Sequence, residues 1–251
     1  MDLGLAGRVV VVTGAASGIG AAVARAAVAE GAVPFLTDRD GTGLARVAGE
    51  LGAAVLEADL AGAAAPAVIV AACVARFGRV DGLVNAAGLT TRGSFVTGTA
   101  EVWDQVFDVN ARAGFLLMQA VIGDLLARRA AGAVVNILSM NAHCGIPELA
   151  IYAATKGAMA TLTRNAAHAH MADRIRVNGI NLGWVATETE DRIQTGLRGA
   201  DWQAGVAAGM PLGRLVTAEE AARLAVFLLG DASQPMSGAL VDFEQKVAGA
   251  L

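Results

Sequence analysis

Cysteine and histidine are scarce in this 251-residue chain, with two of the first and three of the second. Cys73 and Cys144 lie far apart in the sequence, which excludes a zinc-type spacing and a disulfide framework. Cys73 falls in an apolar helical pattern, where a thiol behaves as a small core residue. His168 and His170 stand two apart on a predicted helix, so their rings face different directions and cannot easily share an ion. No metal site is expected. Charge is scarce as well: 17% of residues are charged and the formal net charge is −4. No basic field therefore points to nucleic acid. Long apolar runs are missing, and none reaches the ~18–20 residues of a membrane span. The longest, 63–75, holds Pro66 and is mostly alanine. Met1-Asp2-Leu3-Gly4 has neither a basic region nor a long apolar segment, so no signal peptide is expected and a cytoplasmic location follows.

What the chain does have is 55% hydrophobic residues, rich in alanine and glycine, as suits helices packed closely on both faces of a sheet. Strand patterns fall near 8–13, 33–37, 53–56, 80–85, 132–138, 175–180 and 238–242. Helical patterns fall near 18–30, 41–51, 66–77, 100–109, 111–129, 150–171 and 217–229. Such alternation implies right-handed βαβ crossovers and a parallel sheet. No linker, charge block or repeat divides it, so one domain over 1–251 is expected. An irregular stretch at about 183–213 interrupts the pattern, with a short helix implied over 188–194. A stretch of that length near strand ends is more often a lid or binding loop than a linker.

Three local patterns carry chemistry. The first is Arg8-Val-Val-Val-Val-Thr13 followed by Gly14-Ala-Ala-Ser17-Gly18-Ile19-Gly20 and an alanine-rich helix. A buried strand, a glycine turn and a helix N-terminus offer free N–H groups and a positive dipole end to a phosphate. The spacing G-x-x-x-G-x-G departs from the usual dinucleotide G-x-G-x-x-G. The second is Asp38, at the end of the next strand, where a carboxylate meets an adenosine ribose and repels a 2′-phosphate. NAD is thereby favoured over NADP, although Arg39 beside it suits the extra phosphate. The third is Tyr152-Ala-Ala-Thr-Lys156, preceded by Ser139. Tyr152 and Lys156 share one helical face, a turn apart. A free phenol near ~10 is a poor base at neutral pH, and a neighbouring ammonium is expected to lower it.

With these motifs in this order, the chain resembles the classical short-chain dehydrogenase/reductase family over almost its whole length. The resemblance implies an α/β fold: a Rossmann-like, doubly wound, seven-stranded parallel sheet with helices on both faces. Gly14, Ser17, Gly18, Ile19 and Gly20 match the cofactor loop, and Asp59-Leu60 matches the acidic pair that contacts adenine. Asn85-Ala86-Ala87-Gly88 resembles the family's Asn-Asn-Ala-Gly turn, with Ala86 in place of the second Asn. Asn110, Ser139, Tyr152 and Lys156 match the catalytic set. Asn181-Leu182-Gly183-Trp184 stands where the family usually has Pro-Gly; Gly183, Val185 and Thr187 are expected to approach the cofactor. Phe243-Glu244-Gln245 replaces the usual glycine-rich turn after the last strand. The resemblance further implies a homotetramer, with helices near 100–129 and 150–171 at one interface.

The implied reaction moves a hydride between a secondary alcohol or hemiacetal carbon and nicotinamide. Ser139 steadies the oxygen, Tyr152 takes its proton, Lys156 holds the phenolate and the nicotinamide ribose, and Asn110 positions a water. Expected substrate-lining residues are Thr90, Arg92, Asn141, His143, Glu148, Trp184, Glu188, Glu190 and Arg192. This polar set favours a sugar or polyol over a greasy ligand, whose burial would leave polar groups unpaired. Arg92 and Arg192 also suit an anionic substituent. Reduction of a small ketone or ketoacyl compound with NAD(P)H is the alternative; a dinucleotide-binding sensor without turnover is a remote one.

Overall fold

The run Val9–Thr13 is buried from end to end and forms β1, the strand on which the sheet is laid out. The structure is a computed structural model and describes residues 2–246. In chain order the strands are β1, β2 (Val33–Asp38), β3 (Ala54–Glu57), β4 (Gly82–Asn85), β5 (Gly132–Ser139), β6 (Ile175–Leu182), β7 (Val185–Ala186), β8 (Val216–Thr217) and β9 (Leu240–Phe243). The helices are α1 (Gly18–Ala29), α2 (Gly41–Leu51), α3 (Ala65–Phe77), α4 (Ala100–Phe107), α5 (Ala113–Arg128), α6 (Ala150–His170), α7 (Glu188–Arg198), α8 (Trp202–Ala207) and α9 (Ala218–Leu229). Seven strands form one parallel sheet, as expected, and its order is β3-β2-β1-β4-β5-β6-β9. The short strands β7 and β8 pair separately and tie the base of the irregular segment.

Two apolar layers hold the helices on. One face of the sheet packs α1 and α9 through small side chains such as Ala21, Ala24, Ala218, Ala222 and Ala225. The other face packs Ile69 and Cys73 of α3, Leu117 and Val121 of α5, and Met159 of α6. Alanine on α1 and α9 lets the helix backbones approach closely, where larger side chains would overpack.

The two expected helices at 100–109 and 111–129 are one continuous helix, Ala100–Arg128. A single π-turn at Asp108–Arg112 joins α4 to α5, so the break read from the sequence is a bulge instead. By length and composition this helix is also apolar enough to cross a membrane, although charged residues such as Arg112 and Asp124 interrupt its apolar run. It is a core helix, more than half buried in the domain.

The direction in which strands are added reverses between β1 and β4: β2 and β3 lie to one side of β1, and β4 to β6 to the other. A crevice opens at the strand ends there. The turns above it are packed to the limit. Gly14 has φ +66°, and a Cβ on it would sit 2.9 Å from the Ala87 backbone. A Cβ on Gly20 would sit 2.1 Å from the Gly14 carbonyl oxygen.

These contacts make a paired expectation. Gly20→Ala should destabilise the protein by at least about 2 kcal/mol, because the obstruction is backbone. Gly49→Ala, on the exposed face of α2 with nothing within 4 Å of the new methyl, should stabilise it, by up to about 1 kcal/mol. Urea unfolding midpoints of the two variants would check both signs.

Candidate active site

A cleft of about 1630 Å³ runs along the carboxyl edge of the sheet, from Asp38 past Gly14–Gly20 to Ser139, Tyr152 and Lys156. It exceeds the ~300–1000 Å³ of a site for one drug-sized ligand, and leaves room for a long cofactor with a substrate beside it. At one end the Asp38 carboxylate is fixed by the Ala16 N–H (3.0 Å) and the Asp40 N–H (3.0 Å). In the middle lies the N-terminus of α1, whose N-cap Ser17 makes no side-chain capping bond. The donors of that first turn face the cleft, as an anion-binding helix end requires. A carboxylate for a ribose, free N–H groups for phosphates and glycines where a Cβ cannot fit are the chemistry a nicotinamide dinucleotide needs.

Of the sequence-predicted cofactor residues, Gly14, Ser17, Gly18, Ile19, Gly20, Asp38, Asp59, Leu60, Ala86, Gly88, Gly183, Val185 and Thr187 line this cleft. Asn85 does not. Its side chain turns into the sheet and donates to the Asn136 side chain (2.8 Å), its register partner on β5. Sequence reasoning missed Arg46, Gln194, Arg198 and Leu149, which also line it. Arg46, on α2, donates to the Ala16 carbonyl in the glycine turn (3.2 Å), a contact across thirty residues that no local spacing signals.

At the other end the geometry is tight. Ser139 closes β5, and its hydroxyl oxygen accepts from the Asn141 N–H (3.2 Å) and from the Asn141 side-chain amide (3.1 Å). Both acceptor positions are used, so the Ser139 proton is free to be donated into the cleft. Tyr152 and Lys156 project from the first turns of α6, both buried. The Lys156 ammonium donates to the Ile137 carbonyl (2.8 Å) and lies 5.6 Å from the centre of the Tyr152 ring. Burial pushes the Tyr152 phenol up to about 12, against a pull downward from the Ser139 hydroxyl; the Glu190 charge adds to the rise. Burial likewise pulls Lys156 down to about 8. The expected depression of the phenol by Lys156 is thus absent from the chain alone, because desolvation opposes charge on both groups.

Asn110 sits in the π-turn and is buried. Its oxygen accepts from the Leu89 N–H (2.7 Å), and its amide donates to the Leu89 carbonyl (2.9 Å) and the Thr155 hydroxyl (3.2 Å). It braces the loop after β4 against the helix that carries Tyr152, and does not line the main cleft. Beneath Lys156 a small cavity of about 10 Å³ is bounded by Asn85, Asn110 and Asn136.

Thr90, Arg92, Asn141, Trp184, Glu188, Glu190 and Arg192 line the substrate end, and so does Glu244, from just past β9. The Glu244 carboxylate covers Gly183 and accepts from the Trp184 N–H (3.3 Å). His143 is corrected: its ring is bonded to Asp242 (2.9 Å) and Asn181 (3.3 Å) at the end of β6 and β9, outside the cleft. Glu148 also stays outside, its carbonyl accepting from the Gly93 N–H (2.9 Å). No group of three or more metal-ligating side chains occurs among the described residues.

Tyr152 is the sole tyrosine, so phenolate absorbance reports it alone. At pH ~10, where a free phenol is half ionised, the ligand-free folded protein should show almost no phenolate. Ultraviolet difference spectra taken with circular dichroism would check this; a half-ionised signal in folded protein would contradict the buried placement.

A family model described as Enoyl-(Acyl carrier protein) reductase matches residues 14–244. The chain is 39% identical over 220 residues to inactive 2-(S)-hydroxypropyl-CoM dehydrogenase 2 of Xanthobacter autotrophicus, covering 86% of this chain and 95% of that protein. It is 33% identical to D-threitol dehydrogenase of Mycolicibacterium smegmatis, covering 95% and 92%. Among solved structures it is similar to L-sorbose reductase from Gluconobacter frateurii complexed with NADPH and L-sorbose, at TM-score 0.92 and 29% identity over 100% of both chains. The chain belongs to the short-chain dehydrogenase/reductase family and is a nicotinamide-dinucleotide oxidoreductase acting on CH–OH groups.

Proposed function

We propose that this enzyme oxidises a secondary alcohol or hemiacetal hydroxyl of a sugar or polyol, with NAD as its cofactor. The observation that carries the reading is the Ser139 hydroxyl, with both acceptor sites filled by Asn141, next to Tyr152 in a polar cleft. Ser139 then donates to the substrate oxygen and steadies it as charge develops. Tyr152, as phenolate, takes the hydroxyl proton; Lys156, on the same helical face, holds that phenolate before the transfer and reaches the nicotinamide ribose. Asn110 keeps α6 and the Leu89 loop in register, and the cavity below Lys156 is large enough for one water in a proton path to solvent. The bound dinucleotide supplies the hydride acceptor.

NAD is favoured over NADP by the anchored Asp38 carboxylate, which would repel a 2′-phosphate. Of the two nearby arginines, Arg46 is engaged by Glu50 (3.0 Å) and the Ala16 carbonyl, leaving Arg39 as the opposing influence. The polar lining of the substrate end favours a polyhydroxyl ligand. Reduction of a small ketone or ketoacyl compound is the second reading, supported by 34% identity to granaticin polyketide synthase putative ketoacyl reductase 1 of Streptomyces violaceoruber. We place the enzyme in the cytoplasm as a homotetramer; two free thiols fit a reducing compartment, and exposed Trp103, Phe115 and Leu126 on α4 and α5 fit a subunit interface.

A screen of NAD⁺ and NADP⁺ reduction over sugars, sugar acids and polyols should show turnover with NAD⁺. Turnover confined to ketones and NADPH would favour the second reading. Tyr152→Phe should lower kcat at least about a hundredfold while dinucleotide affinity stays near wild type. Near-wild-type turnover would refute the assignment.

A further inference from the structure

We propose that Glu190 selects the substrate: its carboxylate accepts hydrogen bonds from hydroxyl groups beside the reacting carbon, so the cleft takes a neutral polyhydroxyl compound and disfavours an anion at that end. The inference rests on the sugar or polyol reading and deepens it.

Glu190 lies in the first turn of α7, where its N–H donates to the Thr187 cap (3.1 Å). One carboxylate oxygen, Oε1, takes both the Trp184 indole N–H (2.7 Å) and the Gln194 amide (2.8 Å). Gln194 is itself buried, and its oxygen accepts from Arg198 (2.8 Å). The Arg198 guanidinium lies over the Trp184 ring at 5.2 Å, and that ring packs 5.7 Å from buried Trp202. These contacts fix the carboxylate from the lid side through a single oxygen. Oε2 makes no hydrogen bond among the described residues, and no cation forms an ion pair with Glu190 there. A carboxylate held this way has one oxygen left to accept from a ligand.

The position suits that use. Glu190 and Tyr152 line one cleft, and the Glu190 charge acts on the Tyr152 phenol. The other charged groups at this end are Glu188, Arg192 and Arg198 on α7, Arg92 after β4, Lys156 on α6 and Glu244 after β9. An O–H donated to a carboxylate is shorter and about twice as strong as a neutral hydrogen bond. An alcohol without that hydroxyl leaves Glu190 desolvated and unpaired, whereas an anionic substrate meets like charge.

The test compares Glu190→Gln with wild type on a four-carbon polyol, on 2-butanol and on the matching aldonate, all with NAD⁺. The variant keeps the side-chain shape and an oxygen for Trp184 and Gln194. Its kcat/KM for the polyol should fall at least about fivefold, mainly through KM. Its kcat/KM for 2-butanol should not fall, and its relative use of the aldonate should rise. Removing the charge also lowers the phenol, so the rise of kcat/KM with pH should move to lower pH. Trp184→Phe, which leaves the charge in place, should weaken polyol preference without moving that rise. An equal loss on polyol and 2-butanol, or an unchanged polyol kcat/KM in folded Glu190→Gln, would overturn this inference alone. A wild-type enzyme that oxidises 2-butanol but no sugar or polyol would remove the reading beneath it, and this inference with it.

Discussion

One hydroxyl holds the crevice open. Thr13, the last residue of β1, accepts hydrogen bonds from the Ala86 and Ala87 N–H groups (3.1 Å each) and lies 3.4 Å from the Val84 carbonyl. It ties the ends of two adjacent strands whose following loops must diverge. Gly14 then turns against Ala87 with no room for a side chain. The helix N-terminus of α1 and the Gly88 loop consequently face the same space, and each other cleft residue is placed relative to that fixed seam.

The reactive end depends on burial more than on the Tyr152–Lys156 pairing taken alone. Water is excluded from both side chains, so each resists its charged form. Lys156 compensates with the Ile137 carbonyl, and Ser139 offers its proton because Asn141 has claimed its lone pairs. Asn110 works at one remove: saturated by Leu89 and Thr155, it sets the distance between the cofactor loop and α6.

Most of this was legible where a residue acts through backbone pattern or short-range spacing. The glycine turn, the alternation of strands with helices and the Tyr152–Lys156 face follow from periodicity and helix geometry. Asn85 misled because a motif gives an order along the chain but not the side of the pleat; its neighbour Asn136 drew it inward. His143 misled because β9 brings Asp242 alongside it, a contact across a hundred residues of sequence. The π-turn was read as a break, since one extra residue shifts the apolar phase without ending the helix. The sign of the phenol's shift required knowing its burial, which no spacing reports.

The walls of the cleft come from opposite ends of the sequence. Glu244 covers Gly183, and the Gln245 side chain accepts from the Leu212 N–H (2.9 Å) and donates to the Arg214 carbonyl (2.6 Å), fastening the segment that carries α7 and α8. On a ribosome, the phosphate-binding turn emerges well before this fastening. The nascent chain can therefore assemble β1 through β6 well before its catalytic chamber has a roof, and a translation arrest short of β9 would leave a nearly finished sheet with an untethered lid.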